Sequence, residues 1–135
     1  MKIDGRCHCG AITFEAEVDP ATSMVCHCSD CQTISGAPFR TVVPAKEENF
    51  RVLSGEPKAY IKIAESGNRR IQGFCGDCGT ALYATSADGE GPKIYGLRHG
   101  AISQRDQLPP QKQVWTRSAQ SWLAGLHDVP GAEMQ

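Results

Sequence analysis

The sequence lacks any run approaching the ~20 consecutive apolar residues that a transmembrane helix needs, which excludes a helical membrane span. It also lacks an excess of basic charge: 14 Lys and Arg stand against 15 Asp and Glu, for a formal net charge of −1. That balance does not suit a protein whose main partner is a phosphate backbone, so no nucleic-acid partner is expected. The first residues, Met1-Lys2-Ile3-Asp4-Gly5-Arg6-Cys7, carry no apolar signal region. The expectation is a soluble, cytoplasmic protein. No repeat, low-complexity run or linker interrupts the chain, and 14 Gly and 8 Pro leave no room for long helices.

What is present fits one domain. At 135 residues, 40% hydrophobic and 21% charged, the chain can bury a modest core that metal clamps would help to stabilise. Residues 11–18 alternate apolar and polar side chains, as a half-buried strand does. Further short strands are expected at 39–43, 50–53, 60–63, 70–74, 80–85 and 93–97, separated by Pro44, Gly55, Pro57 and the turn from Asp88 to Pro92. One or two helical turns are expected after Cys28 and another over Ala101 to Arg105. Residues 5–123 read as the domain and 124–135 as a C-terminal tail with little to pack. The fold class expected is mainly β.

Seven cysteines carry the chemistry. They fall in three clusters: Cys7-His8-Cys9-Gly10, Cys26-His27-Cys28-Ser29-Asp30-Cys31 and Cys75-Gly76-Asp77-Cys78-Gly79. In a reducing compartment they will not settle into disulfides, and an odd number cannot pair completely, so metal binding is the default. In extended chain, residues i and i+2 project to one face, so Cys7 and Cys9 can offer two thiolates to one ion. The tight bend of a C-x-x-C turn does the same for Cys75 and Cys78. The glycines that follow, Gly10 and Gly79, can adopt positive φ and let backbone N–H groups approach the sulfurs. Structural zinc wants four ligands in a tetrahedron, and these two pairs supply them. Closing a loop of that length costs roughly 4 kcal/mol. Structural zinc contributes about 10 kcal/mol or more in small peptides, which outweighs it.

Cys26, Cys28 and Cys31 remain. Three protein ligands leave a fourth vertex of zinc open, as in catalytic sites. Three thiolates make that ion a weak generator of hydroxide but a suitable holder of an incoming thiol. His27 sits between two of these ligands, where its ring should face away, and His8 meets the same objection; His99 and His127 have no better claim. Iron in the four-cysteine set and redox chemistry at Cys75 and Cys78 are the alternatives left by ligand type alone.

In order along the chain, C-x-C-G at Cys7, C-H-C-x-x-C at Cys26, F-C-x-x-C-G-T at Phe74 and the closing Trp115-Thr116-Arg117-Ser118 with Trp122-Leu123 resemble the glutathione-dependent formaldehyde-activating family, which includes centromere protein V. The resemblance implies a β-tent of small antiparallel sheets built around two zinc ions. It implies a structural ion at Cys7, Cys9, Cys75 and Cys78 and a catalytic one at Cys26, Cys28 and Cys31. It further implies a carbon–sulfur lyase that joins glutathione or a similar small thiol to formaldehyde or another aldehyde. The chain is shorter than the founding enzymes between its second and third clusters.

Substrate carboxylates would need cations, for which Arg40, Arg69, Arg70, Arg98 and Arg117 are the candidates. Asp30, beside the open site, is a candidate proton relay. Trp115 and Trp122 read as core or edge packing. Two rival functions stand beside the enzyme: a non-catalytic zinc module for protein or nucleic-acid partners, and a sensor whose second ion leaves when its cysteines oxidise.

Overall fold

Alternating burial organises the chain into strands, as a computed structural model of the protein shows for residues 1–134. Gln135, the last residue of the expected tail, lies outside the described residues. Among the described residues there are ten strands and one α-helix. The strands are β1 (Lys2–Arg6), β2 (Thr13–Glu17), β3 (Met24–Cys26), β4 (Arg40–Lys46) and β5 (Phe50–Ser54), followed by β6 (Lys58–Ile63), β7 (Arg69–Phe74), β8 (Ala81–Ser86), β9 (Ile94–Arg98) and β10 (Lys112–Val114). The helix, α1, spans Ser29–Ser35.

Two sheets result. The smaller runs β1-β2-β5 and the larger β10-β3-β4-β9-β8-β7-β6. All pairs are antiparallel except β10 with β3, which run parallel. The fold is mainly β, as its alternating patterns require. Among the described residues no helix is long and apolar enough to cross a membrane.

The core lies where the two sheets face each other, with Ile3, Phe14, Val43, Leu82, Leu97, Ile102 and Leu108 among its buried side chains. Burying each such side chain contributes about 1.5–3 kcal/mol. Phe14 meets Phe50 edge-on with ring centroids 5.8 Å apart, and Phe50 meets Tyr83 at 5.5 Å. Cys7 and Cys75 belong to this same buried cluster, so the four-cysteine group is continuous with the core.

Three strands escape the sequence reading: β1, β3 and β10. β1 alternates exposed and buried positions, but one of its buried positions is Gly5. A Cβ there would lie 2.2 Å from Phe14 Cζ and 2.4 Å from the Ala101 carbonyl oxygen. The ring takes the place of a side chain, and the apolar pattern disappears from the sequence. β3 and β10 are three residues each, too short to show a period. The expected helical turn over Ala101 to Arg105 is also corrected. Separate 3-10 turns occupy His99–Ala101 and Arg105–Gln107. Between them Ile102 bridges to Gly5 and is fully buried, which breaks the helical run. Beyond β10, Ser121–Asp128 winds through successive 3-10 turns without burying a residue.

Candidate metal centres and the cleft beside them

The Cys7-Cys9 segment leaves β1 and turns through Gly10 at φ +82°. The Cys75-Cys78 turn leaves β7 and closes through Gly79 at φ +75°. Both glycines take the left-handed conformation that their place after a cysteine pair requires. Backbone amides then approach the sulfurs: Ile12 N–H donates to Cys7 Sγ at 3.2 Å. Thr80 ties the two segments together, accepting from the His8 amide at 3.0 Å while its hydroxyl lies 3.1 Å from Cys78 Sγ. That hydroxyl is the first reason the Cys78 thiol is drawn down to about 5.

The four sulfurs of Cys7, Cys9, Cys75 and Cys78 all lie within 4.8 Å of one another. Cys7 and Cys9 sulfurs are 3.5 Å apart and those of Cys9 and Cys75 3.8 Å. A tetrahedral ion with metal–sulfur bonds of about 2.3 Å has ligand edges of about 3.8 Å. The donor set therefore fits one tetrahedral, thiophilic ion.

The second group is built from β3 and α1. Cys26 closes β3, Cys28 caps α1, and Cys31 lies in the first turn of that helix. The Cys31 amide donates to Cys28 Sγ at 3.3 Å, and Gly36 ends the helix at φ +65°. The three sulfurs fall within 4.8 Å of one another, and no other Cys, His, Asp or Glu among the described residues joins them. The neighbouring Cys26 sulfur, and after it burial, push the Cys31 thiol far up, while the closeness of Cys31 draws the Cys26 thiol down to about 5. Three soft donors with one vertex to spare suit a thiophilic metal as well.

Among the described residues no histidine enters either group. His27, one residue past the end of β3, is buried against Phe39, with Nε2 2.7 Å from Gln113 Oε1. His99 Nε2 contacts Ser23 Oγ at 3.0 Å, and His127 contacts Asp128.

The three-cysteine group opens onto a cleft of about 720 Å³. Arg40, Arg70, Arg98 and Arg117 all line it, whereas Arg69 does not. Arg69 instead grips Asp88 through Nε and Nη2 at 3.0 and 2.7 Å. Asp30 also lines the cleft, but its carboxylate is held by Lys62 Nζ at 2.7 Å. Lys62, whose side chain is only 17% exposed, has no warning in the sequence beyond its place in a strand. Neither tryptophan packs in the core. Trp115 is 42% exposed and Trp122 53%. Trp115 adopts φ +58°, which turns it out of the sheet onto the rim of the cleft, with Arg117 Cζ 4.8 Å from its ring.

The floor of the cleft is one face of the large sheet. Cys26 is the direct partner of Arg40, Val42 of Arg98, Gly96 of Ala84, and Ala84 of Gln72. Opposed residues share a face, so the cysteine group, both arginines and Gln72 lie on the same side. The small side chain of Ala84, which lines the cleft, leaves the floor open. Gln72 was missed by the sequence reading because a lone glutamine in a strand gives no pattern.

Three comparisons place the chain among known proteins. The family model described as glutathione-dependent formaldehyde-activating enzyme matches residues 2–118. An uncharacterized lyase of Schizosaccharomyces pombe is 30% identical over 93 residues, covering 66% of this chain and 61% of that protein. A protein of Halomonas elongata described as a glutathione-dependent formaldehyde-activating enzyme is 27% identical over 116 residues, 83% of this chain and 73% of that one. A crystal structure of a Rhodobacter sphaeroides protein superimposes with a TM-score of 0.63 at 24% identity, over 82% of this chain and 98% of that one, a likeness of fold. With a cysteine pattern, a mainly β fold and a family match that agree, the chain belongs to the glutathione-dependent formaldehyde-activating enzyme family.

Proposed function

We propose that the protein is a zinc-dependent carbon–sulfur lyase that adds a small thiol of the glutathione class to an aldehyde, and splits the adduct in reverse. The observation that carries this reading is the three-cysteine group of Cys26, Cys28 and Cys31, incomplete as a tetrahedron and open to a cleft of about 720 Å³. Small-molecule sites span about 300–1,000 Å³, so the cleft has room for both reactants. The names of the relatives, a lyase and a formaldehyde-activating enzyme, support the same chemistry.

Zinc held by those three thiolates would supply a Lewis-acidic fourth vertex at which a visiting thiol loses its proton. The protein's own side chains do the rest. α1 and β3 fix the three sulfurs. Ala84, a small side chain among the lining residues, keeps the floor low beneath the reactants. The Asp30–Lys62 pair stands at the wall, where it can exchange a proton with the forming hydroxyl. In the overall reaction the thiol sulfur bonds to the aldehyde carbon and its proton ends on the former carbonyl oxygen. The Cys7, Cys9, Cys75 and Cys78 group takes the structural ion in this reading, since all four vertices are filled by protein.

The test is hemithioacetal formation from glutathione and formaldehyde, followed by exchange NMR with metal counted by mass spectrometry. Acceleration by wild type, lost in Cys28→Ser together with one of two zinc equivalents and with the β spectrum unchanged, supports the reading. A wild-type rate equal to the uncatalysed one removes it.

A further inference from the structure

Two arginines in the cleft are buried without a counter-ion. Arg40 is 5% exposed and Arg98 9%. Neither pairs with a carboxylate among the described residues. Their one shared partner is neutral: Gln72 Oε1 accepts from Arg40 Nη1 at 3.0 Å and from Arg98 Nη2 at 2.9 Å. Arg40 Nε and Nη2 and Arg98 Nε have no partner on the protein. Burial first, then the adjacent Arg40 charge, draws the Arg98 guanidinium down to about 9. Two like charges held together under such conditions are destabilising unless something anionic completes them.

The unpartnered atoms identify that anion. Nε and Nη2 form the side edge of a guanidinium, the two-donor fork that matches a carboxylate. The same protein turns this edge on a carboxylate elsewhere, where Arg69 Nε and Nη2 both donate to Asp88 Oδ1. On Arg40 that whole edge is buried and unpaired, and Arg40 is one of the residues lining the cleft beside the three cysteines. The thiolates themselves do not complete it. Three of them on a divalent ion leave one negative charge against two fixed positive ones, and sulfur is a poor match for a planar fork.

We infer that Arg40 and Arg98, braced by Gln72, form a carboxylate-binding site on the cleft floor that takes the carboxylate of a small acidic substrate. Which reactant brings the carboxylate, thiol or oxo acid, is a question that rests on the thiol–aldehyde reading; the binding site does not.

The probe for the site alone is glycolate, neither thiol nor aldehyde, titrated calorimetrically into the zinc-loaded full-length protein beside neutral glycolamide. Glycolate binds and glycolamide does not. Arg98→Gln weakens glycolate by about tenfold or more. Gln72→Glu places a protein carboxylate between the two arginines, so thermal stability rises and glycolate binding disappears. Equal binding of glycolate and glycolamide, or no binding of either, overturns the inference. So does glycolate binding that both variants leave intact, since the carboxylate then sits on the metal. The source is read from rates: glutathione against cysteamine with formaldehyde, then glyoxylate against formaldehyde with cysteamine. A preference for the carboxylate in the first comparison assigns the thiol, in the second the oxo acid, and none in either overturns the role in substrate choice. Glycolate binding without any rate acceleration would sink the enzymatic reading and leave this site standing.

Discussion

Cys26 and Arg40 are direct partners across the antiparallel pair β3–β4, so a thiol of the three-cysteine group and a buried guanidinium project side by side from one face. The pairing puts a fixed positive charge where an isolated fold would place an apolar residue. Sites of this kind trade stability for function.

That trade is measurable at Arg40. Arg40→Met removes one of two buried like charges and leaves Gln72 with Arg98 as partner. Urea unfolding of the zinc-loaded variant is expected to give a gain of about 1–2 kcal/mol. A loss of that size would mean that the side chain is structural and the cleft floor depends on it.

The four-cysteine group predicts the reverse. Cys75 is buried in the core, and its loss leaves three sulfurs where a tetrahedral ion would take four. Cys75→Ser should lose metal and several kcal/mol of stability, against about 10 kcal/mol or more for structural zinc in small peptides. Metal counting with circular dichroism checks this. A cooperative thermal transition at the wild-type temperature would exclude a structural ion.

Gly5 tests the packing that hides β1. Gly5→Ala drives a methyl group into the Phe14 ring and the Ala101 carbonyl. Overpacking of this type costs about 1–3 kcal/mol, read from the shift in urea midpoint. By contrast, Gly10 has nothing within 4 Å of a built Cβ, so Gly10→Ala is strained only by its φ of +82° and should cost about 1–2 kcal/mol.

The legible part of the fold was the part that obeys a period. β2 shows its inward Phe14 and Ala16 in the sequence, and the expected strands that became β4 to β9 lie between Pro and Gly signals. β1 was hidden because a ring from another strand occupies the position of its own side chain. The seven cysteines announced themselves by spacing alone. The floor of the cleft did not, because Arg40, Arg98 and Gln72 come from three strands and meet only through sheet register. Nothing local to an arginine says that it will be buried.

Acid should loosen two surface ties. The Asp4 carboxyl is held low by the Gln104 amide first and then the Ser103 hydroxyl, and that of Asp88 by Arg69. A depressed folded value means stability present above the ordinary carboxylate range and lost as pH falls through the folded value. Below about pH 4, urea midpoints should therefore drop, and Asp88→Asn should flatten that drop. A pH-independent midpoint down to 3 would show that neither contact is linked to folding.

Asp30 separates proton transfer from scaffolding. Asp30→Asn leaves Lys62 without its anion, but the pair is partly exposed, so stability should fall by less than about 1 kcal/mol. If the carboxylate exchanges the proton, the pH–rate profile of thiol addition loses its acidic limb. An unaltered profile assigns Asp30 to positioning Lys62.

Cys26, Cys28 and Cys31 all fall inside the 66-residue span that separates Cys9 from Cys75. The two centres are therefore nested, and nesting imposes an order. With an ion in each group, as proposed, stripping the trio would dim the protein and let it recover on resupply, while stripping the quartet would unmake the ground on which the trio stands. A chelator of graded strength should thus trace two regimes, a reversible one followed by collapse, and a metal-starved cell would meet them in that sequence.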